Sequence, residues 1–383
     1  MAKVLLVDTN FASAPIYSVL KGFGYTVHVI GSNPNDTLAK SAEQYWNIDY
    51  SDTAALSDLI EKEAFDYLVP GCTDRSYKSC AIVSQGRFPG IESPNIEHEM
   101  HNKEKFRAMA EKLNIPIPET QNHNSKSLDY PVIIKPVDSF SGRGITVIKN
   151  RNKRLFDSAI ELARKNSATE EYLLEKFVSG ELYSHSAFLK NKRAIKNFFV
   201  KEDSTVNSFV VDTSRVIFSP PPVMQKQIIN AVEKLAQHLK LKDGLIHSQF
   251  IWDGCNIYLI DRNRRIAGDL YSQLIELSTG HPYVENYVRP FLEMPYKNIE
   301  DSDTKIPIMR HTVSVSKEQN FNHISFKESL NLESWVALSS AGDRIKASPD
   351  GSVGILFARA QSQAELLTLY EATIRRQLYE VVD

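Results

Sequence analysis

The chain has 383 residues, with 45 Lys plus Arg against 47 Asp plus Glu and a formal charge of −2. Such a length exceeds a single core, so two or three domains are expected, and the balanced charge offers no general attraction to nucleic acid or to an anionic membrane. Cys72, Cys80 and Cys255 lack metal-ligand spacing and cannot all pair, which points to a reduced, cytoplasmic setting.

The N-terminal apolar run VLLV is interrupted by Asp8, and no run is long enough to span a bilayer. In the first hundred residues, strand signals (KVLLVD, YTVHVIG, FDYLVPG) alternate with helical patterns at 16–21 and 52–62, implying parallel pairing in a doubly wound sheet. The first strand is followed by DTNFASAP rather than a glycine-rich fingerprint, which argues against a nicotinamide or flavin site. Thr9, Asn10, Thr73, Asp74 and Arg75 fall at the loop ends of this sheet. Each reads as turn or cap chemistry, or as part of a substrate site.

A helix is expected over 102–113, stopped by Asn114-Ile115-Pro116. Lys103 and Lys105 sit near its start, where the dipole disfavours a cation. Next comes PVIIKPVDSFSGRGITVI, in which Lys135 interrupts an apolar strand and should be paired or at a cleft. Residues 139–144 place Gly142 and Gly144 around Arg143, a loop that reads equally as a hairpin turn or as a lid whose amides cover phosphates. It has no Walker A ending. A helix of mixed charge at 155–165 precedes YLLEKFVSGELYSHSAFL, with Glu175 at a strand edge and Glu181 six residues on.

The stretch 245–269 reads as a hairpin, its runs HSQFIW and NIYLI flanking Asp253-Gly254. Period-two alternation puts Asp261, Asn263 and Arg265 on one face and Arg262 and Arg264 on the other, with Gln249 and His247 near the first face. A carboxylate and a carboxamide two residues apart suit Mg²⁺, and Arg265 could neutralise a phosphoryl group. A charged strand end in solvent is the plain alternative. Further on, strands are expected at SAFL, AIKNFFVKE, VNSFVV and RVIF, then an amphipathic helix at 223–241 and another after 269. Asp269 either caps that second helix, the simpler reading, or holds an ammonium. Past a polar stretch near 294, PIMRHTVSV, WVALSS and GSVGILFARA look like strands and 362–382 like a closing helix.

Five motifs in fixed order carry a resemblance: NKEKFRAMAEKLNIPIP, PVIIKP with SFSGRGI, LLEKFVSGE, HSQFIWDGCNIYLIDRNRRIAGD and LIELSTG. In that order they resemble the ATP-grasp carboxylate-amine ligases, in the branch with amino-acid ligases and the carbamoyl-phosphate synthase-like and biotin carboxylase-like enzymes. The resemblance spans about 102–290. It implies an α/β chain: a doubly wound parallel domain at 1–97, an ATP-grasp α+β fold at 98–295 with a lid at about 120–185, and a small C-terminal α+β subdomain at 296–383. It further implies ATP and Mg²⁺ (or Mn²⁺) as cofactors.

By the same resemblance Lys103 and Lys135 would hold the nucleotide phosphates, and Ser139, Ser141, Gly142, Arg143 and Gly144 would form the loop above them. Glu175, Lys176 and Val178 would border the adenine, and Glu181 would take the ribose. Gln249, Asp261 and Asn263 would hold the metal, while Lys135, Arg143 and Arg265 would act on the transferred phosphoryl group. Asp269, Arg310 and Arg359 are candidates for substrate. Gln249 departs from the family's glutamate and Asp261 from its second glutamate, which weakens the expectation of two metals. The implied reaction joins a small carboxylate, an amino acid on this reading, to an amine through an acyl phosphate. A bicarbonate-activating carboxylase and a non-catalytic ATP-binding protein are the alternatives. The expected partners are small molecules, not nucleic acid or membrane, and a second copy of the chain is possible as a homodimer.

Overall fold

A computed structural model describes residues 1–122, 128–138, 142–300 and 304–383. Ser139 and Ser141 lie outside the described residues. The N-terminal strands β1 (Lys3–Val7), β2 (Thr26–Gly31), β3 (Gln44–Asn47) and β4 (Tyr67–Pro70) form a parallel sheet in the order β3-β2-β1-β4. Strand β3 was not expected, because QYWN shows no alternation and its residues are only partly buried. The helices Ala14–Gly22 and Thr53–Glu63 connect strands, and Asp74–Ser84 follows the last of them. Asp52 and Thr73 cap two of them by accepting backbone N–H groups.

A smaller antiparallel sheet follows, β6-β5-β7, made of β5 (Val132–Pro136), β6 (Thr146–Ile148) and β7 (Tyr172–Lys176). Helix Lys153–Lys165 packs Phe156, Ala159 and Ala163 on Val132, Ile134, Ile148 and Leu174. Its stripe of apolar residues at helical spacing faces that sheet, and its charges face water.

The largest sheet has eight antiparallel strands. Its first six, in spatial order, are β12 (Ile257–Asn263), β11 (Gly244–Trp252), β8 (Glu181–Lys190), β9 (Arg193–Asp203), β10 (Thr213–Val216) and β13 (Ile308–Val313); Gly354–Arg359 and Leu332–Ala337 complete it. The sheet therefore runs through the expected boundary near residue 296. One face carries Ala187, Leu189, Phe199, Ile246 and Phe250, and is covered by helices Pro222–His238 and Lys103–Lys112. The opposite face carries Phe188, Phe198, Val200 and Leu245, packed with Tyr271, Tyr283 and the N-terminal domain.

Two expected elements differ. Residues 206–211 turn instead of forming a strand, since Asp212 Oδ2 accepts the Thr205 and Val206 amides at 2.9 and 3.3 Å and closes a loop. The closing helix stops at Ile374, where Arg376 adopts φ +59°, and Tyr379–Val382 pairs as a strand with His323–Phe326.

Candidate functional site

On the second face of the large sheet the apolar residues give way to a polar row. Asp261, Gln249 and Ser184 stand opposite one another on β12, β11 and β8. Ser184 is opposite Val200 on β9, and Glu202, two residues on, points to the same side. Glu202 is opposite Ser214, and Ser214 opposite Arg310. Because directly paired residues share a face, the register of the pairs together with alternation builds this line across six strands. Ser184 and Ser214 are the small members, so the long side chains of Gln249, Glu202 and Arg310 meet above them. Gln249 Nε2 donates to Glu202 Oε2 at 2.7 Å. Arg310 donates to Ser214 and Thr312 at 3.2 and 2.9 Å, and lies 3.3 Å from the Asp269 carboxylate.

That last contact corrects one expectation. Asp269 does not cap helix Tyr271–Thr279, whose N-cap is Leu270 in a left-handed conformation at φ +56°. The carboxylate faces Arg310, and the Asp269 carbonyl also accepts from Arg310 Nε.

Beside the Asp261 end lies a basic cluster. Lys103 Nζ donates to the Pro136 carbonyl at 3.1 Å, and Lys135 Nζ is 2.6 Å from Glu175, which Arg107 Nε also meets at 2.6 Å. Burial lowers the Lys103 ammonium to about 8; Asp261 opposes the shift, while Lys135 adds to it. Burial likewise lowers Lys135, against the pull of Glu175 and Asp261. The pair Lys103 and Lys135 thus sense the same carboxylate, Asp261, although 126 positions or more separate them from it in sequence.

Arg265 reaches Asp74, on the N-terminal domain, through Nε and Nη2, each at 2.7 Å. Although burial alone would raise Asp74, Arg265 and His101 hold its carboxyl well below the usual range. Burial would lower His101, but hydrogen bonds to Asp74 and Glu97 outweigh it and bring the imidazole up to about 10. Asp74 Oδ1 and the Arg262 carbonyl, two acceptors, and His101 Nε2 flank one side of the Asn263 carboxamide at 2.9, 3.0 and 2.9 Å. The amide nitrogen belongs on that side, which leaves its oxygen toward Asp261. Gln249 obeys the same logic, because its nitrogen is committed to Glu202. The donors available at the row's end are therefore one carboxylate and two carboxamide oxygens. Hard oxygen donors of this kind suit Mg²⁺, although among the described residues no group of three His, Cys, Asp or Glu could hold a metal.

Residues 128–273 match the model of the ATP-grasp domain. The chain carries an ATP-grasp domain. A formate-dependent phosphoribosylglycinamide formyltransferase from Histophilus somni is 26% identical over 159 residues, covering 39% of this chain and 40% of the relative. The carbamoyl phosphate synthase large chain of Clostridium acetobutylicum is 22% identical over 289 residues, covering 70% of this chain and 26% of the relative. The chain thus spans less than half the length of these curated relatives. An L-amino acid ligase from Bacillus licheniformis superposes with a TM-score of 0.80 at 16% identity, over 100% of this chain and 99% of that one. At that identity the likeness speaks for the fold, which is the expected one: a parallel N-terminal α/β sheet followed by the ATP-grasp architecture.

Within the ATP-grasp domain the other predicted residues scatter more widely. Gly142 and Gly144 have φ +69° and +74°, and a Cβ on either would meet Phe209 or Asn166 within 3.0 Å, so the loop's glycines are demanded by its backbone. Arg143 is half exposed and pairs with Asp350 at 2.8 Å. The Lys176 amide is taken by the Glu119 carbonyl at 2.9 Å, which leaves its side chain on Asp129. Val178 is half-buried, and exposed Glu181 accepts from the Tyr183 hydroxyl at 2.8 Å. Arg359 sits at the exposed end of its strand, 3.4 Å from Glu333, apart from the row.

Three residues escaped the sequence reading. Arg107 lies four positions after Lys103 and therefore on the same helix face, a usable signal. His101 stood before the expected helix and had no motif. Glu202 ended a strand whose pairing partners could not be known, so nothing marked its face.

Proposed function

We propose that the protein is an ATP- and Mg²⁺-dependent ligase that converts a small carboxylate, an amino acid on this reading, into an acyl phosphate and joins it to an amine. The observation that carries the reading is that Lys103 Nζ meets the Pro136 carbonyl next to Lys135 while the Asp261 charge acts on both ammonium groups, with Arg265 held by Asp74. A carboxylate is a poor electrophile, and transfer of the γ-phosphoryl group of ATP makes it reactive. Lys103 and Lys135 would spread the charge on the phosphates, and Arg265 the charge on the transferring group. Asp261, Gln249 and Asn263 would hold Mg²⁺ (or Mn²⁺), which would supply positive charge against the phosphates. Glu175 keeps Lys135 extended and correctly aimed, while Arg107 holds Glu175 in turn. The loop carrying Gly142, Arg143 and Gly144 would keep water from the acyl phosphate.

The test is phosphate release from Mg-ATP with a panel of amino acids, small carboxylates and bicarbonate. Release that requires both an acid and an amine supports the ligase. Release with bicarbonate alone would make it a carboxylase, and no release despite ATP binding would make it a non-catalytic binding protein.

A further inference from the structure

We infer that Glu202 is the recognition site for a protonated amino group, so that one substrate of the ligase is an ammonium-bearing amino acid. The inference rests on the ligase reading and deepens it. Glu202 is 4% exposed, and a buried carboxylate is ordinarily paired with a cation. Among the described residues none lies within ion-pair distance. Its nearest hydrogen-bond partner is the neutral Gln249 carboxamide at 2.7 Å.

The two closest cations are committed elsewhere. Lys201, adjacent in sequence, points to the opposite face and pairs with Asp203 at 3.1 Å. Arg310, two strands away, is held by Asp269, Ser214 and Thr312. Burial raises the Glu202 carboxyl, hydrogen bonds from Gln249 and Ser184 pull it back, and these two cations act on it only at a distance. The row explains why the place is left open. Ser184 and Ser214 flank Glu202 with the smallest hydroxyl side chains, and the neutral Tyr271 hydroxyl lies 3.0 Å from Ser184 Oγ. At the other end the Asp261 side chain is 42% exposed, so the row opens to solvent beside the proposed phosphate site and closes toward Arg310.

Gln249 takes its sense from the same pair. A glutamate there would set a second carboxylate 2.7 Å from Glu202, and two like charges in a dry site repel strongly. A carboxamide instead donates to Glu202 and turns its oxygen toward Asp261. The negative charge missing from position 249 is thus present two strands further on, where a cationic substrate rather than a metal would meet it. Bicarbonate, an anion, would be repelled from this place.

The experiment is isothermal titration of the full chain, loaded with Mg²⁺ and a non-hydrolysable ATP analogue, with each common amino acid and with its desamino acid. Wild type should bind at least one amino acid more tightly than its desamino counterpart. Glu202→Gln should weaken that amino acid about tenfold to a hundredfold, the range of one charge-assisted hydrogen bond, and leave the desamino acid and the ATP analogue unchanged. Glu202→Asp, which keeps the charge, should recover part of the loss. An equal loss for both acids would reduce Glu202 to a structural role, and wild-type affinity in Glu202→Gln would remove it from the site; either overturns the inference while the ligase reading stands. Release of phosphate with bicarbonate alone would instead sink the ligase reading and the inference with it.

Discussion

The two ends of one sheet face make an instructive contrast. At one end Phe188, Phe198 and Leu245 are fully covered by Tyr283 and its neighbours, and every group finds an apolar partner. At the other, a few residues along the same strands, Gln249, Glu202 and Asp261 are polar, and Glu202 is buried with a neutral carboxamide, not a cation, at 2.7 Å among the described residues. Apolar packing needs only burial to be satisfied; a charged row in a dry place needs a ligand. The first end holds the fold and the second waits for chemistry, so substitutions should separate them cleanly.

The largest separation should come from Lys135→Ala. Turnover is expected to fall by about a thousandfold or more, because a charge proposed to face the phosphates is removed. Glu175 keeps Arg107 at 2.6 Å, so the protein should still fold, as circular dichroism and a cooperative melt would report. A variant retaining near-normal rates would take Lys135 out of the site. Next in size is Asp74→Asn. Arg265 loses a carboxylate that meets it through two nitrogens, and a guanidinium displaced by an ångström costs on the order of a hundredfold in rate. If the effect fell on the KM for ATP with kcat unchanged, Arg265 would be binding ground-state phosphate rather than the group in transfer.

Gln249→Glu sharpens the contrast further. Placed beside Glu202, the new carboxylate should destabilise the protein by about 1–3 kcal/mol, the cost of one buried polar group left without its partner. Restoring a donor with the double change Gln249→Glu, Glu202→Gln should recover most of that stability in thermal melts. A Tm loss in the double variant equal to that of the single one would mean that the two side chains are not coupled.

A smaller effect concerns pH. Burial brings Lys103 down to about 8, and on the proposed function it would meet phosphate in its charged form. ATP affinity should therefore be flat below that pH and decline as pH rises above it, by up to about tenfold per unit, where binding must first restore the proton. Lys103→Arg should flatten the decline, as titrations in buffers from neutral to alkaline pH would show.

How far this organisation is legible in the sequence depends on the range of the interaction. Local signals place the hairpin around Asp253-Gly254, the helix capped by Asn102 and the interrupted strand at Lys135, and all three are present. Alternation along β12 also sorts Asp261 and Asn263 from Arg262, which turns its guanidinium onto Phe106 at 3.8 Å. Register between distant strands is not written locally, so the meeting of Gln249 with Glu202, 47 residues apart, or of Arg265 with Asp74, 191 apart, could not be derived. Asp269 shows the same limit: its position before a helix suggests a cap, and only tertiary placement reveals Arg310.

Arg143 offers the smallest effect on stability and the clearest question about the loop. Its ion pair with Asp350 joins two half-exposed side chains at 2.8 Å, and an exposed pair of this kind contributes below about 0.5 kcal/mol. Asp350→Ala should therefore leave the melt unchanged. The arginine would, however, be released from the C-terminal region and freed to turn toward phosphate. If Arg143 works on the transferred group, Asp350→Ala should keep or raise turnover while Arg143→Ala lowers it; equal rates in both variants would confine this arginine to the surface and leave catalysis to Lys103, Lys135 and Arg265.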